Sequence, residues 1–242
     1  MSIPRIIHYC WFGGKPLPKS CEKMISTWKK HLPDYELRLW NESNFDITSS
    51  DYVSAAYRAG KYAFVSDYVR LYALMEYGGV YLDTDIEVLK SFDALLGSYS
   101  AVFGFESQDM VMTAFMAAQP GHPIIRAFLS GYTDKVFDAA APEANPIPLT
   151  RLLREHGLVC NNTMQLLDGN VAVFPLDYFH TFDYQKSKLC ITEHSYTIHK
   201  SFGSWCPPRE RALFAFRRLL GTCLSEEQYR KLKRLKKRIM GK

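Results

Sequence analysis

The chain has 242 residues, 47% of them hydrophobic, and a formal net charge of +5. A chain of this length and composition can bury one sizeable core, so we expect a single folded domain. The sequence has no run of about 18 apolar residues and no basic, apolar leader, so neither a membrane span nor an export signal is predicted. We therefore expect a cytoplasmic location.

The positions of the cysteines and of the basic residues argue against a zinc or redox motif and against nucleic-acid binding. Six cysteines are scattered without a CxxC pair, which favours free thiols in a reducing compartment over a zinc or redox motif. Residues 230–238 hold seven lysines and arginines, more than the whole net charge, so the rest of the chain is close to neutral. This distribution argues against a nucleic-acid-binding face, and we predict no nucleic-acid partner.

The first elements in chain order predict a strand, helix, strand unit. Residues 3–11 form an apolar and aromatic run that ends at Gly13 and Gly14, as a buried strand would. Residues 19–31 have a helical pattern, with Ser20 as its expected N-terminal cap. Residues 35–40 alternate between apolar and polar side chains, as a second strand does. Units of this kind build parallel sheets.

The next elements predict a long helical segment followed by an acidic strand. Residues 52–77 have a helical pattern with a break near Gly60, and the helix should stop at Gly78 and Gly79. Residues 80–88 alternate with period two, which predicts one continuous strand. In that strand one face would carry Val80, Leu82, Ile86 and Val88, and the other Tyr81, Asp83, Asp85 and Glu87.

The rest of the chain predicts further short elements around the same sheet. We expect an α/β fold with a parallel-centred mixed sheet flanked by helices. The expected elements are a strand at 101–105, a helix at 112–118, a helix from Pro123, a mobile or substrate-side loop at 142–148, and strands at 171–175 and 196–199.

The acidic triplet at residues 83–85 (DTD) is the first candidate for a metal-binding site. Asp83 and Asp85 offer two hard oxygen ligands at a strand end, which suits Mg²⁺ or Mn²⁺ bridging a diphosphate. Asp67 and Arg70 are three residues apart on the preceding helix and so share a face. Because this helix leads directly into the acidic strand, both pairs can face one cleft at the carboxyl end of the sheet, where α/β sheets bind ligands.

Together these residues resemble a known family. The chain is similar to glycosyltransferase family 32, the transferases with a DXD-containing sugar-binding region, which includes capsular-polysaccharide and fungal initiating mannosyltransferases. It is more distantly similar to the large clostridial glucosylating toxins. Four segments carry the resemblance: residues 3–13 (IPRIIHYCWFG), 66–70 (SDYVR), 78–87 (GGVYLDTDIE) and 199–205 (HKSFGSW).

The resemblance implies a fold, a reaction and a domain organisation. The fold would be a GT-A-like, Rossmann-type mixed sheet in one domain at residues 1–222, with a basic amphipathic helix at residues 223–242. The reaction would be metal-dependent transfer of a hexose, with retained configuration, from a nucleoside diphosphate sugar to a saccharide acceptor. A UDP-sugar is favoured over GDP-mannose as the donor, and capsular or cell-surface polysaccharide as the product.

The resemblance also implies roles on the donor side. Trp11 matches the aromatic residue that stacks on the base, although a core tryptophan would look the same, and His8 in the same segment is assigned to donor binding. Asp67 and Arg70 match the pair that contacts the hydroxyls of the donor sugar. Tyr81 matches a tyrosine near the ribose and diphosphate, with packing as its alternative role.

The remaining implied roles concern the metal and the diphosphate. Asp83 matches a residue that touches the ribose and reaches the metal indirectly, and Asp85 matches the direct metal ligand. His199 matches a further metal ligand, whereas a lone histidine is more often structural. Ser204 and Trp205 match the pair near the β-phosphate.

One departure from the family pattern concerns the reacting carbon. Similar enzymes often carry an amide side chain after the acidic strand, close to the anomeric carbon, whereas residues 109–116 offer only Asp109 and Thr113. The sequence therefore names no nucleophile. Retaining enzymes of this kind are thought to need no strong one, because the leaving phosphate guides the acceptor to the same face of the sugar.

The acceptor and the basic tail are less specific. Tyr178, Phe179 and His180 lie in a segment that resembles acceptor-side loops, where they either stack on a sugar or pack onto the core. Residues 226–240 place apolar residues on one helical face among lysines and arginines, which suits an anionic membrane surface or a solvated helix. Membrane contact would fit a lipid-linked acceptor at the inner face of the membrane.

Two readings from other classes compete. A dehalogenase-type phosphatase also uses an Asp-x-Asp pair with Mg²⁺, but on its first strand, whereas here about 80 residues precede the pair. A calcium-dependent sugar-binding module of the EF-hand type needs glycine at the sixth position, where this chain has Val88.

Overall fold

The computed structural model describes residues 2–183, 188–189 and 191–200. The predicted basic helix at 223–242 lies outside these residues. Within them, every helix is too short or too polar to cross a bilayer.

The fold is built on one seven-stranded mixed sheet with the strand order β2-β1-β3-β6-β5-β8-β7. The strands are β1 (Ile6–Cys10), β2 (Glu36–Trp40), β3 (Gly79–Leu82), β4 (Ile86–Val88), β5 (Ala101–Gly104), β6 (Phe115–Ala118), β7 (Gln165–Leu167), β8 (Val171–Phe174), β9 (Phe182–Asp183), β10 (Lys188–Leu189) and β11 (Thr197–His199). The helices are α1 (Lys19–His31), α2 (Asp51–Arg58), α3 (Tyr62–Tyr77), α4 (Asp93–Leu96), α5 (Pro123–Ser130), α6 (Pro146–Glu155) and α7 (Leu176–Phe179).

Five strands of the large sheet run in one direction and two run against them. β2, β1 and β3 pair in parallel, and β5 pairs in parallel with β8, while β6 and β7 are antiparallel to their neighbours. β4 and β11 form a separate antiparallel pair, as do β9 and β10. The expected mixed α/β sheet is confirmed.

Two hydrophobic clusters cover the two faces of the large sheet. One contains the inner sides of α2, α3, α5 and α6, and the other contains those of α1 and α4. α7 contributes Leu176 to the first cluster and Phe179 to the second. Alternate residues of β3 divide between the clusters, since Tyr81 belongs to the first and Val80 and Leu82 to the second. The fold is thus a three-layer sandwich with helices on both sides.

The opening unit matches the prediction except at its cap. β1, α1 and β2 form in the expected order, and β1 pairs with β2 in parallel from Ile6 with Glu36 to Cys10 with Trp40. The N-terminal cap of α1 is Pro18 rather than Ser20, which lies inside the first turn. The helical segment also breaks as predicted at Gly60, where the backbone has a positive φ of 66°.

The predicted continuous strand at 80–88 is wrong. β3 ends at Leu82, and the triplet forms a turn in which the backbone N–H of Ile86 donates to the carbonyl of Asp83 at 3.0 Å. β4 then leaves the large sheet, because α1 holds it: Trp28 Nε1 donates to the carbonyl of Ile86, and Thr27 Oγ1 accepts from Val88 N–H. The carboxylates therefore sit on a turn rather than on a strand face.

Two further elements differ from the prediction. The expected helix at 112–118 is strand β6, in the middle of the sheet, and its residues are buried on both faces. A strand covered on both sides has a continuous apolar run, which periodicity alone does not distinguish from a buried helix. The expected loop at 142–148 contains the start of α6, where Pro146 occupies a first-turn position that tolerates a missing N–H.

The strand order identifies where a ligand would bind. From β1 the chain crosses through α1 to β2 on one side, and from β2 through α2 and α3 to β3 on the other side of β1. Adjacent connections that leave in opposite directions open a crevice at the carboxyl ends of the strands. Trp11 follows β1 and Asp83 follows β3, so both lie at this edge.

Candidate active site

Arg70 is the central residue of the cleft beside β3. Its Nη2 lies 2.9 Å from Asp67 Oδ1 and 3.4 Å from Asp83 Oδ1. Its Nη1 donates to the carbonyl of Thr113 at 2.7 Å, and its Nε donates to the carbonyl of Ser66 at 3.2 Å. The guanidinium is buried and uses its forked geometry to hold two carboxylates and two backbone carbonyls at once.

Tyr81 fixes the other side of this arrangement. Its ring is buried, with the Arg70 guanidinium 4.4 Å from the ring centroid, and its hydroxyl donates to Asp83 Oδ1 at 2.9 Å. The backbone N–H of Asp83 donates to the carbonyl of Ala114 at 2.9 Å. Tyr81 thus packs and orients Asp83, which is the alternative role considered for it.

The second acidic residue of the triplet meets His199 across the small sheet. β11 pairs with β4 so that His199 lies opposite Ile86, and the backbone N–H of Lys200 donates to the carbonyl of Asp85 at 3.0 Å. His199 Nε2 is then 3.2 Å from Asp85 Oδ1. The predicted metal ligands Asp83, Asp85 and His199 are therefore brought together from two distant parts of the chain.

These three side chains fit a divalent cation. Each offers one ligand atom, and the three atoms lie within 4.8 Å of one another. Two carboxylate oxygens and one imidazole nitrogen suit Mn²⁺ well, and Mg²⁺ less well because it prefers oxygen ligands. The triad leaves further coordination positions to other ligands.

Burial and charge shift the acid–base behaviour of the site. Burial raises the pKa of Asp67 to about 6, although the Arg70 guanidinium opposes this shift. Burial by itself would lower the pKa of His199, but the neighbouring carboxylates, Asp85 first, raise it above its ordinary value. His180, edge-on to His199 at 5.3 Å between ring centroids, has its pKa lowered to about 3 by burial and by His199.

The two donor-side residues predicted on β1 have different surroundings. Trp11 is half-buried, its Nε1 donates to the carbonyl of Lys15, and no aromatic ring of the described residues packs on it. Its predicted stacking on the base of the donor stays a prediction. His8 is fully buried, with Nε2 bonded to the carbonyl of Gly78 and Nδ1 accepting from Trp40 Nε1. Both ring nitrogens of His8 thus hold neighbouring elements together, and its part in donor binding stays a prediction.

Four further predicted residues belong to the diphosphate side or the acceptor side. Ser204 and Trp205 lie outside the described residues. Tyr178 and Phe179 pack inward, since Tyr178 stacks on Phe174 at 4.6 Å and Phe179 stacks on Phe115 at 3.8 Å between centroids. These two aromatic residues thus pack a loop onto the core, the second of the roles considered for them.

Two residues near the site were not predicted to take part in donor chemistry. Asn145, fully buried at the start of α6, donates through Nδ2 to the carbonyl of Asp67 at 3.0 Å and accepts from the Tyr132 hydroxyl. Glu106 follows β5 and interacts electrostatically with His199 and Asp83. Its sequence signal was available, because an acidic residue at the end of a buried apolar run is also the pattern of Asp83.

Comparison with known proteins identifies this site. Residues 18–102 match the family described as "Glycosyltransferase sugar-binding region containing DXD motif". This segment is therefore similar to a glycosyltransferase sugar-binding region. The predicted resemblance is thereby confirmed, and the matched segment includes Asp67, Arg70, Asp83 and Asp85.

The DXD glycosyltransferase region has relatives in fungi and in a giant virus. Over 131 residues the chain is 32% identical to inositol phosphoceramide mannosyltransferase 3 of Schizosaccharomyces pombe, covering 51% of this chain and 35% of that protein. The chain thus spans about a third of this relative. It is 22% identical over 219 residues to the uncharacterized glycosyltransferase L373 of Acanthamoeba polyphaga mimivirus, covering 85% and 84%.

A solved glycosyltransferase shares the fold. The PaToxG glycosyltransferase matches with a TM-score of 0.51 and 23% identity over 64% of this chain and 69% of that chain. The expected GT-A-like arrangement of sheet and helices is confirmed.

Metal binding to the DXD cluster, which consists of Asp83, Asp85 and His199, is expected to depend on pH through the histidine. The imidazole must lose its proton to bind a cation, and its pKa is raised by Asp85, Asp83 and Glu106. Affinity for Mn²⁺ should therefore fall as the pH decreases through this raised pKa, by about tenfold per unit below it. Calorimetric titration with Mn²⁺ between pH 6 and pH 8.5 measures this. His199→Asn should bind more weakly with a flatter profile, and an equally steep profile in that variant would contradict the assignment.

Proposed function

We propose that the protein is a metal-dependent retaining glycosyltransferase that moves a hexose from a nucleoside diphosphate sugar to a saccharide acceptor. The observation that supports this best is that ligand atoms of Asp83, Asp85 and His199 lie within 4.8 Å of one another at the carboxyl end of β3. The two aspartates belong to the segment that matches the DXD family, and His199 comes from outside it. This is the edge where an α/β sheet presents residues to a nucleotide.

Different residues would bind the metal, the base and the sugar of the donor. Asp83, Asp85 and His199 would hold Mn²⁺ or Mg²⁺, which when bound neutralises charge on the departing diphosphate. Trp11 offers a ring face to the base, at the end of the strand next to β3. Asp67 and Arg70 already hold each other rigidly at 2.9 Å, so they can direct their remaining polar atoms to sugar hydroxyls at little entropic cost.

The transfer proceeds on one face of the sugar. The bond between the anomeric carbon and the diphosphate oxygen breaks, and its electron pair stays with the diphosphate. The acceptor hydroxyl oxygen forms the new bond to that carbon and passes its proton to the departing diphosphate. This scheme retains configuration and requires no strong protein nucleophile.

The donor and acceptor are proposed by class. We favour a UDP-sugar over GDP-mannose, and a lipid-linked oligosaccharide of capsular or cell-surface polysaccharide synthesis as the acceptor. A glycolipid-type acceptor is supported by the fungal relative, which is named for inositol phosphoceramide. A cytoplasmic location, with the basic residues 226–240 at the anionic inner face of the membrane, would bring the enzyme to such an acceptor.

A donor panel tests the proposed activity. The protein is incubated with UDP- and GDP-linked hexoses and Mn²⁺, and nucleotide release by slow hydrolysis is measured together with thermal shift. We expect release from one donor, increased by a saccharide acceptor and abolished by EDTA. Phosphate release from a model phosphate ester would indicate a phosphatase instead, and calcium-dependent sugar binding without nucleotide release would indicate a binding module.

A further inference from the structure

Glu106 lies at the same edge of the sheet as the acidic triplet. It lies two residues after the end of β5, which runs in the same direction as β3 because β6 is antiparallel to both. Its backbone N–H donates to the carbonyl of Met110 at 2.9 Å, closing a tight turn, and Phe105 bridges to Val111. The turn thus fixes where Glu106 stands relative to β3.

The carboxylate of Glu106 differs from the other acidic groups of the cleft. Glu106 is half-buried, and its carboxylate has no hydrogen bond or ion pair to any residue in the described part of the chain. The other carboxylates have charged neighbours within hydrogen-bonding or ion-pair distance: Asp67 and Asp83 have Arg70, and Asp85 has His199. A half-buried carboxylate without a protein partner is open to water and to a bound ligand.

We propose, as an extension of the proposed function, that Glu106 is a catalytic residue whose carboxylate faces the anomeric carbon of the donor sugar and stabilises the positive charge that develops there. A cation held by Asp83, Asp85 and His199 would stabilise the negative charge on the departing diphosphate. The anomeric carbon of the sugar meanwhile gains positive charge, which a cation does not stabilise. A fixed negative charge beside that carbon lowers the barrier without forming a bond to it.

The placement of Glu106 favours this role over metal binding. Its carboxylate is not among the three groups that converge within 4.8 Å, although it is close enough to Asp83 and His199 to interact with them electrostatically. It therefore lies next to the cation site but outside its first ligands.

The test separates binding from chemistry with Glu106→Gln, which keeps the shape and removes the charge. We expect affinities for Mn²⁺ and the nucleotide, measured by calorimetry, to stay within about twofold, because ground-state binding is untouched. The turnover number should fall about a hundredfold or more, the loss typical for removing one stabilising group. In Glu106→Ala, added formate should restore part of the lost turnover by placing a small carboxylate in the vacated space.

Asp109→Asn is the matched control. Asp109 belongs to the same turn, is exposed, and its carboxylate accepts only from Ser107 Oγ at 2.8 Å among the described residues, so its turnover should equal that of the wild type. Loss of Mn²⁺ binding in Glu106→Gln, or turnover close to the wild-type value, would overturn the inference while leaving the proposed function intact. A wild-type protein that releases no nucleotide from any donor would refute both.

Discussion

Replacing Asp85 with alanine is expected to abolish metal-dependent donor binding and turnover together. Asp85 supplies one carboxylate oxygen of the cation site and lies 3.2 Å from His199 Nε2, so its removal leaves one aspartate and a histidine to hold the cation. Because a bound metal contributes several kcal/mol to stabilising the leaving group, turnover should fall about a thousandfold or more. Nucleotide release with saturating Mn²⁺ and donor measures the loss.

Asp93→Ala is a suitable control for this variant. It removes the same chemical group from an exposed position at the start of α4, where Asp93 pairs with Arg5 at 3.0 Å and accepts from Tyr35. Its activity should match the wild type, with at most a small loss of thermal stability. Full activity in Asp85→Ala would contradict the assignment of the DXD cluster as the cation site.

Local pattern was sufficient to predict the elements that present the site. The unit β1-α1-β2 and the division of the helical segment at Gly60 follow from periodicity and glycine placement, which act within a few residues. The two glycines after α3 have positive φ angles, and a Cβ at Gly79 would lie 2.6 Å from the carbonyl oxygen of Ile6. Glycine there permits the close approach of β1 and β3 that brings Trp11 and Asp83 to the same edge.

Tertiary contacts decide the features that the sequence left open. Residues 112–118 are apolar except for Thr113, and the position of residues 115–118 between β3 and β5 makes them a strand. The turn after Leu82 depends on the hydrogen bond from Trp28 to Ile86, a contact across 58 residues. The Glu106 environment depends likewise on strand order, because nothing near residue 106 in the sequence indicates its neighbours. The surroundings of His8 also come from tertiary contacts, since Gly78 and Trp40 use its ring nitrogens.

Replacing Arg70 with methionine is expected to cost both stability and activity. The guanidinium is buried between Asp67 and Asp83 and also satisfies the carbonyls of Thr113 and Ser66. Removing one partner of a buried ion pair leaves an uncompensated charge, a loss of about 3–5 kcal/mol in the free energy of unfolding. Chemical denaturation at pH 8 measures this loss, and donor release measures the activity.

The double variant Arg70→Met, Asp67→Asn separates the two effects. Removing the buried carboxylate together with its cation should restore much of the stability, because the costly species is the unpaired charge rather than the missing pair. It should not restore turnover, since the pair that would contact the sugar is absent. Recovery of activity with stability would show that Arg70 and Asp67 act only on folding.

The pH dependence of the single variant identifies Asp67 as the source of the instability. In the wild type, burial already raises the pKa of Asp67 to about 6, and loss of Arg70 removes the main group that opposes this shift. A carboxyl group whose pKa is higher in the folded than in the unfolded state destabilises the fold above the unfolded value, and the cost disappears as it becomes protonated. The stability deficit of Arg70→Met relative to the wild type should therefore shrink between pH 8 and pH 5. A stability deficit that stays constant over this range would indicate that the variant loses packing of Arg70 against Tyr81, and that the unpaired Asp67 carboxylate is not the cause.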